Sequence, residues 1–352
     1  MSYQITIEPI GQTVDVREGQ TVLDACLRAG VWLPHACGHG LCATCKVQVL
    51  DGHCEHGEAS NFALMDFERD EGKILACCAT LQSDLVIEAD LEEEPDAQCL
   101  PLQDFLGEVV EARMLTPTIR GLWLKTSEPV AFQAGQYVML DVPGVQGARA
   151  FSIANAPGDG LIELHIRRVP EGRATGWLHE QVKLGDKLAF SGPFGRFFVR
   201  KSAERPMIFV AGGSGLSSPK SMVLDLLAEG CTHPIVLLQG ARNRQELYFR
   251  ELFEQLAAQH PRFRYVPVLS EAAGDDAWRG ERGFVHEALK RTFDNDFRGH
   301  KAYLCGPPPM IEACIATLMQ GRLFEADIYT EKFFTAADAS APARRSPLFK
   351  NL

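Results

Sequence analysis

The sequence predicts a multidomain chain: an α+β unit, then an all-β unit, then an α/β unit. Three observations carry that prediction. Residues 1–92 mix short alternating runs with one capped helical segment. Residues 103–202 read as strands throughout, punctuated by turn signals, and residues 203–335 alternate buried apolar runs with helical patterns. A chain of 352 residues is also too long for one ordinary domain.

Composition narrows the class. Hydrophobic residues make up 46% and charged residues 23%, a balance that predicts a soluble, core-forming protein. No apolar run reaches the roughly 18 residues of a membrane helix, so no membrane association is expected. The opening "MSYQITIEPI" has neither a basic region nor an apolar core, so export is not expected. Eleven cysteines, an odd number without a secretion signal, argue for reduced thiols and a metal site in the cytoplasm. A net charge of −11 argues against nucleic acid and for a basic protein surface as the docking partner.

In the first unit, "YQITI" and "TVDVR" are alternating runs joined across Pro9 to Gln12, a hairpin pattern. "QTVLDACLRAG" offers Thr21 as helix N-cap, apolar Val22, Ala25, Cys26 and Ala29, and Gly30 as terminator. A strand at 46–50, a helical stretch at 62–69 and the strand "DLVIEAD" follow. "DLEEEPDAQCLP" is acidic and carries two prolines, which predicts a solvated linker over 93–102. In the middle unit "GLIELHIRRV" places Ile162, Leu164 and Ile166 on one face and Glu163, His165 and Arg167 on the other. Turns at "APGDG", "PEG" and "GPFG" predict a small antiparallel barrel. The third unit reads as strand "PMIFVAGG", helix "PKSMVLDLLAEG", strand "PIVLLQGAR", helix "RQELYFRELFEQLAAQH", strand "RYVPVLS", a helix at 284–292, strand "KAYLCG" and a helix to Leu318. That order predicts a parallel sheet with covering helices. Residues 336–352 read as a loose tail.

"PHACGHGLCATC" carries Cys37, Cys42 and Cys45 at C-x4-C-x2-C spacing. Zinc sites commonly use two C-x2-C pairs, or a cysteine pair with a histidine pair, and only one pair stands here. A redox-active C-x-x-C would sit at a strand-to-helix turn of a βαβ unit, which this segment lacks. The spacing, followed by a distant cysteine, is the plant-type [2Fe–2S] arrangement. Gly38, Gly40, Ala43 and Thr44 are small enough for the backbone to wrap closely and point amides at the sulfurs. On spacing alone the fourth ligand is Cys77 or Cys78. The segment resembles plant-type ferredoxins, whose last cysteine lies seven residues before the Asp of an S-D-hydrophobic run. That resemblance implies a β-grasp fold and, counting back from Asp84, selects Cys77 and leaves Cys78 a bystander. Cys54, His53 and His56 read as surface residues. His35 and His39 read as loop residues that tune the potential, because paired C-x-H motifs are missing.

"RAFSIANAP" is similar to the R-x-[YF]-S motif of the ferredoxin-NADP reductase superfamily. The resemblance implies that Arg149 meets the FAD pyrophosphate, Phe151 packs on the flavin and Ser152 hydrogen-bonds near the flavin N5. "LHIR" and "GRATGWLH" resemble later flavin-contacting stretches, which brings in His165, Arg167, Gly172, Ala174 and Thr175. "VAGGSGLSSPKSM" looks like the family's G-G-[TS]-G-x-x-P, with Gly212, Gly213 and Gly215. Ser218 occupies the proline position and Pro219 comes one later. "QGARNR" contributes Gly240 and Arg242 but lacks an acidic ribose ligand, and Arg242 and Arg244 would suit a 2′-phosphate, so charge leaves the choice of nicotinamide open. "YLCGPPPM" resembles C-G-P-x-x-M, which implies Cys305 beside the nicotinamide C4, with Gly306, Pro307 and Met310 shaping its approach. In "DIYTEKFF", Glu331 is expected to position the flavin or nicotinamide, and Phe333 or Phe334 to cover the flavin.

The order of units resembles the reductase components of bacterial multicomponent oxygenases, most closely the phenol hydroxylase branch. The resemblance implies a β-grasp ferredoxin unit, an FAD-binding barrel and a Rossmann-like NAD unit. It implies transfer of electrons from NADH to FAD, then to [2Fe–2S], then to a separate di-iron hydroxylase, with Ser152, Cys305 and Glu331 at the reacting centre. A reductase serving a Rieske dioxygenase shares this order. A redox sensor without turnover is the reading from another class, and Cys305 and Gly306 argue against it.

Overall fold

Ile5 and Ile7 on one run and Val14 and Val16 on the next alternate with polar neighbours, and that shared apolar face builds the first sheet. The computed structural model describes residues 2–35, 38, 40–91, 94–272 and 277–333. The expected tail at 336–352 lies outside them. The chain divides into one compact unit through Gln103 and a second from Asp104.

The first unit runs β1 (Tyr3–Glu8), β2 (Gln12–Val16), α1 (Val22–Arg28), β3 (Lys46–Asp51), β4 (Cys54–Glu55), α2 (Asp66–Asp70), β5 (Lys73–Leu75), β6 (Thr80–Leu81) and β7 (Leu85–Glu88). Its main sheet has the order β2-β1-β7-β3-β5, with β1 and β7 parallel. α1 starts where Thr21 accepts a hydrogen bond from the Asp24 amide at 3.2 Å. Val22, Leu23, Ala25 and Cys26 face the core. Ala29 differs from its expected burial: it is the exposed C-cap, and Gly30 follows at φ +76°. The stretch expected to be helical at 62–69 forms a helix only from Asp66, because Ser60 to Leu64 close a tight turn first. Cys54 is half-buried against the core rather than a surface residue.

The second unit begins with β8 (Gln103–Met114), β9 (Ile119–Lys125), β10 (Tyr137–Leu140), β11 (Arg149–Ser152), β12 (Ile162–Arg167), α3 (Arg173–Glu180) and β13 (Lys187–Phe194). These strands order as β11-β10-β13-β8-β9-β12, and an Ile153–Leu164 bridge brings the two edges together into a near-closed barrel. β12 is buried on both faces: Ile162, Leu164 and Ile166 fill the barrel, while Glu163 and His165 are buried on the other side.

Beyond the barrel come β14 (Met207–Gly212), α4 (Ser217–Ala228), β15 (Ile235–Ala241), α5 (Arg250–Gln259), β16 (Phe263–Leu269), β17 (Glu281–Arg282), α6 (Val285–Thr292), β18 (Lys301–Gly306), α7 (Pro308–Gln320) and β19 (Ile328–Lys332). The sheet is parallel, in the order β17-β16-β15-β14-β18-β19. Phe209, Leu237 and Tyr303 pack on one face with α4 and α5, and Ile208, Val210, Leu238 and Leu304 on the other with α6 and α7. Each such fully buried side chain contributes about 1.5–3 kcal/mol. α5 is shorter than the helical pattern suggests. Asn243 caps a short 3-10 turn, Tyr248 dives into the core, and Phe249 adopts φ +57°, so the helix starts at Arg250. Strand order reverses beside β14, which places the crevice for a ligand at its carboxyl end. No described helix is long and apolar enough to cross a membrane.

Candidate functional site

Two sites emerge, one in each unit. In the first, Cys42 is exposed, Cys45 buried and Cys77 half-buried, and the described cysteines are unbridged thiols. Cys37 and His39 lie outside the described residues. Among the described residues no three His, Cys, Asp or Glu side chains close on a position for one metal ion. Cys77 is nevertheless the thiol that hydrogen-bonds Cys45, and the Gly40 amide donates to its sulfur. Hydrogen bonding from Cys45 pulls the Cys77 thiol down to about 6, while that same bond, with burial, pushes Cys45 up. Cys78 lies beside it, Sγ to Sγ 3.6 Å. Gly40 sits at φ +79°, and a Cβ there would lie 2.8 Å from Cys78 Sγ and 3.1 Å from the Glu58 carbonyl oxygen, so only glycine fits. A thiolate-prone Cys77 beside Cys45, wrapped by a glycine-permitted backbone with an amide aimed at its sulfur, fits a cluster ligand set.

In the second unit four segments meet where the barrel faces the carboxyl ends of β14, β18 and β19. Glu331 Oε2 accepts hydrogen bonds from Ser152 Oγ at 3.1 Å and Ser218 Oγ at 2.6 Å, and Cys305 Sγ lies 3.3 Å away. Burial raises the Glu331 carboxyl, and its three hydrogen bonds offset only part of that. Burial, with the Glu331 charge, also pushes Cys305 well up, which makes it a neutral thiol and not a nucleophile. Tyr137 pairs with Ser152 across β10 and β11 and stacks on Phe194 at 5.6 Å between centroids. Burial and the Glu331 charge push its hydroxyl up to about 12.

The glycine loop closes the site from below. A Cβ on Gly215 would fall 2.5 Å from the Cys305 carbonyl oxygen, so loop and strand end touch backbone to backbone. Gly212 and Gly306 both pack against Met310, and Pro307 stands just before α7 as its N-cap. Gly213 lies beside Arg167, whose Nη1 would be 3.7 Å from a Cβ there. Gly240, the penultimate residue of β15, packs against Val285. Arg242 is exposed and ion-paired with Glu246 at 3.1 Å. The Phe333 amide donates to the Gly306 carbonyl at 3.0 Å and its ring joins the adjoining core, whereas Phe334 lies outside the described residues.

Other expected ligands stand apart from this convergence. Arg149 is on the exposed part of β11 and donates to the carbonyls of Gln146, Gly147 and Ala148. Phe151 is half-buried against the barrel core. Gly172 caps α3, Ala174 is buried, and the Thr175 hydroxyl is engaged by the Val169 amide and the Gly172 carbonyl. An open cavity of about 470 Å³ lies beside this helix start, between Gly144, Arg173 and Trp177. His165, expected as a cofactor ligand, is buried behind the barrel. The second face of β12 is covered, and the ring is fully buried between Glu163 Oε1 at 2.8 Å, Tyr248 and a stacked Phe249. Burial lowers its pKa further than Glu163 raises it.

Sequence reasoning missed Tyr137, the Ser218 contact and Lys220. A usable signal existed for Lys220, a charge among residues that otherwise read as a buried helix face.

The glycine cradle, the buried hydroxyl–carboxylate convergence and the position at the strand-order switch fit a flavin on the barrel side and a nicotinamide on the parallel-sheet side. Known families agree with these placements. Residues 5–82 match the 2Fe-2S iron-sulfur cluster binding domain, 107–199 the oxidoreductase FAD-binding domain and 209–315 the oxidoreductase NAD-binding domain. The chain is 60% identical to the phenol 2-monooxygenase reductase component DmpP of Pseudomonas sp. strain CF600, over 100% of both chains. It is 59% identical, again over 100% of both, to the phenol hydroxylase P5 protein of Acinetobacter pittii strain PHEA-2. The crystal structure of Amycolatopsis cytochrome P450 reductase GcoB is similar at TM-score 0.82 and 36% identity, covering 94% of this chain and 98% of that one.

Proposed function

This chain belongs to the family of phenol hydroxylase reductase components, and on that premise we propose that it takes electrons from NADH at the Ser152–Ser218–Cys305–Glu331 convergence and hands them on, by way of the cysteine loop, to a di-iron oxygenase in the cytoplasm. The observation that carries this reading is the meeting of a barrel strand and three parallel-sheet segments on one carboxylate oxygen. When bound, FAD supplies conversion of an electron pair into single electrons, and a plant-type [2Fe–2S] cluster, at a potential near about −400 mV, supplies a one-electron outlet.

The protein's own contribution is binding, orientation and exclusion of water. Arg149 would hold the FAD pyrophosphate from the barrel edge, with the α3 start offering amides. Arg167, beside Gly213, and the start of α4 would hold the nicotinamide nucleotide's phosphates. Glu331 fixes the Ser152 and Ser218 hydroxyls by accepting a hydrogen bond from each. Cys305 presents a small neutral surface, since its raised pKa keeps the proton on sulfur. Cys42, Cys45 and Cys77, with Cys37, would hold the cluster. The test is anaerobic rapid mixing with NADH. Bleaching of flavin absorbance and then of cluster absorbance is expected, followed by NADH-coupled phenol hydroxylation when a di-iron oxygenase, phenol and dioxygen are added. Spectra unchanged by NADH would overturn the proposal.

A further inference from the structure

Lys220 stands in a helix segment, Ser217 to Val223, in which every residue is buried. Lysine occupies such positions almost only when paired. Its Nζ donates to Glu163 Oε2 at 2.7 Å and to the Ala154 carbonyl at 3.0 Å. Both charged side chains are nearly inaccessible, at 5% and 6% exposure, so the pair is desolvated. The next residue, Ser221, donates its hydroxyl to the Asn155 carbonyl at 2.6 Å. Glu163 also bonds His165, and Tyr248, which meets the His165 ring edge-on, donates to the Gly213 carbonyl at 3.0 Å.

The places where these bonds land matter more than their number. Ala154 and Asn155 lie just beyond Ile153, which follows Ser152, and Lys220 and Ser221 lie just beyond Pro219, which follows Ser218. The clamp therefore fixes the backbone within three residues of both hydroxyls that converge on Glu331. Its far end, through Tyr248, grips the glycine loop itself. A desolvated ion pair is a poor stabiliser compared with apolar side chains of the same volume, but it is demanding about geometry.

We propose that Lys220, together with Glu163 and Ser221, is a positioning clamp that sets the spacing between the Ser152 strand and the glycine loop, and with it the hydride-transfer distance. This deepens the functional reading above and rests on it. The reaction served moves one hydride, breaking the C4–H bond of the dihydronicotinamide and forming the N5–H bond of the flavin. The clamp residues neither give nor take a proton in it.

The decisive variant is Lys220→Met/Glu163→Gln, which removes both charges and leaves neither stranded. Flavin and cluster contents are expected to stay at the parent level. Flavin reduction at saturating NADH is expected to fall roughly 10-fold or more, as misplacement of reacting groups does, with KM for NADH little changed and a larger primary isotope effect from 4-deuterated NADH. In the resting full chain, without NADH, amide hydrogen exchange is expected to rise together at residues 152–155 and 216–221. Ser221→Ala is expected to move both readouts the same way by less, and it serves if the double variant does not fold. Parent-like reduction rates or parent-like exchange in the folded variant would overturn the clamp. Failure of the parent chain to be reduced by NADH would instead sink the functional reading, and exchange in the resting chain would still judge the clamp.

Discussion

The cysteine loop and the carboxylate convergence use the same side chain to opposite ends. Cys77 accepts hydrogen bonds from Cys45 and from the Gly40 amide, and is pulled down to about 6. Cys305 is enclosed beside a carboxylate and pushed well above the ordinary thiol range. One environment favours the thiolate at Cys77 while raising its partner Cys45; the other keeps Cys305 a neutral thiol. Their construction differs as well. Cys42 and Cys45 belong to one short loop, whereas Ser152 and Glu331 lie 179 residues apart in sequence and meet only after two folds have packed. Local spacing makes the first site and tertiary convergence makes the second.

The largest effect that would break this contrast comes from Cys77→Ser. Loss of all cluster absorbance and of cytochrome c reduction is expected, while NADH still bleaches the flavin, because nothing at the convergence depends on the loop. Cys78→Ser is expected to retain the cluster. The opposite pattern would transfer the ligand role to Cys78, whose sulfur is only 3.6 Å away.

Glu331→Gln probes the other site with a smaller effect. The amide keeps the volume but turns one carboxyl oxygen into an NH2 donor, which competes with the Ser152, Ser218 and Cys305 donors around it, so flavin reduction is expected to slow by roughly 10-fold with cluster absorbance intact. Its pH dependence has a definite sign. Burial raises the folded-state pKa of Glu331, so the folded chain keeps a proton that the unfolded chain releases near about pH 4.3. The stability this group contributes is complete below that value and is lost as pH rises through the raised pKa. Thermal unfolding from acid to neutral pH should therefore show Glu331→Gln gaining on the parent as pH rises. A constant difference would mean that the carboxyl is not perturbed.

What could be read from the sequence follows the same division. The C-x4-C-x2-C loop, the Thr21 cap and the βα order needed only residues near one another. β12 could not be read fully. "IELHIR" alternates as a half-buried strand does, yet Glu163 and His165 are buried because α4 and the Tyr248–Phe249 segment cover their face. That covering is a packing event with no local signature except an out-of-place Lys220. The start of α5 was hidden similarly, since Tyr248 leaves the helical pattern to reach the core and forces Phe249 to a positive φ. Ser218 read as a departure from a proline position, and its hydroxyl is the shortest contact Glu331 makes.

The smallest prediction sharpens the contrast between local and convergent construction at the level of helix starts. α1 begins on its own sequence: Thr21 Oγ1 accepts from the Asp24 amide, and Asp24 places a negative charge in the first turn. α4 has no side-chain N-cap, and its start is held by the neighbouring glycine loop and by bonds to the barrel. Thr21→Ala is therefore expected to cost about 1 kcal/mol, read as a lower denaturation midpoint followed through cluster absorbance. NADH-to-flavin transfer should be untouched, because the lost bond closes within the first unit. A matching loss of flavin reduction would show that the capped helix of the first unit and the convergent site of the second are energetically coupled, and that the local site is less local than its spacing implies.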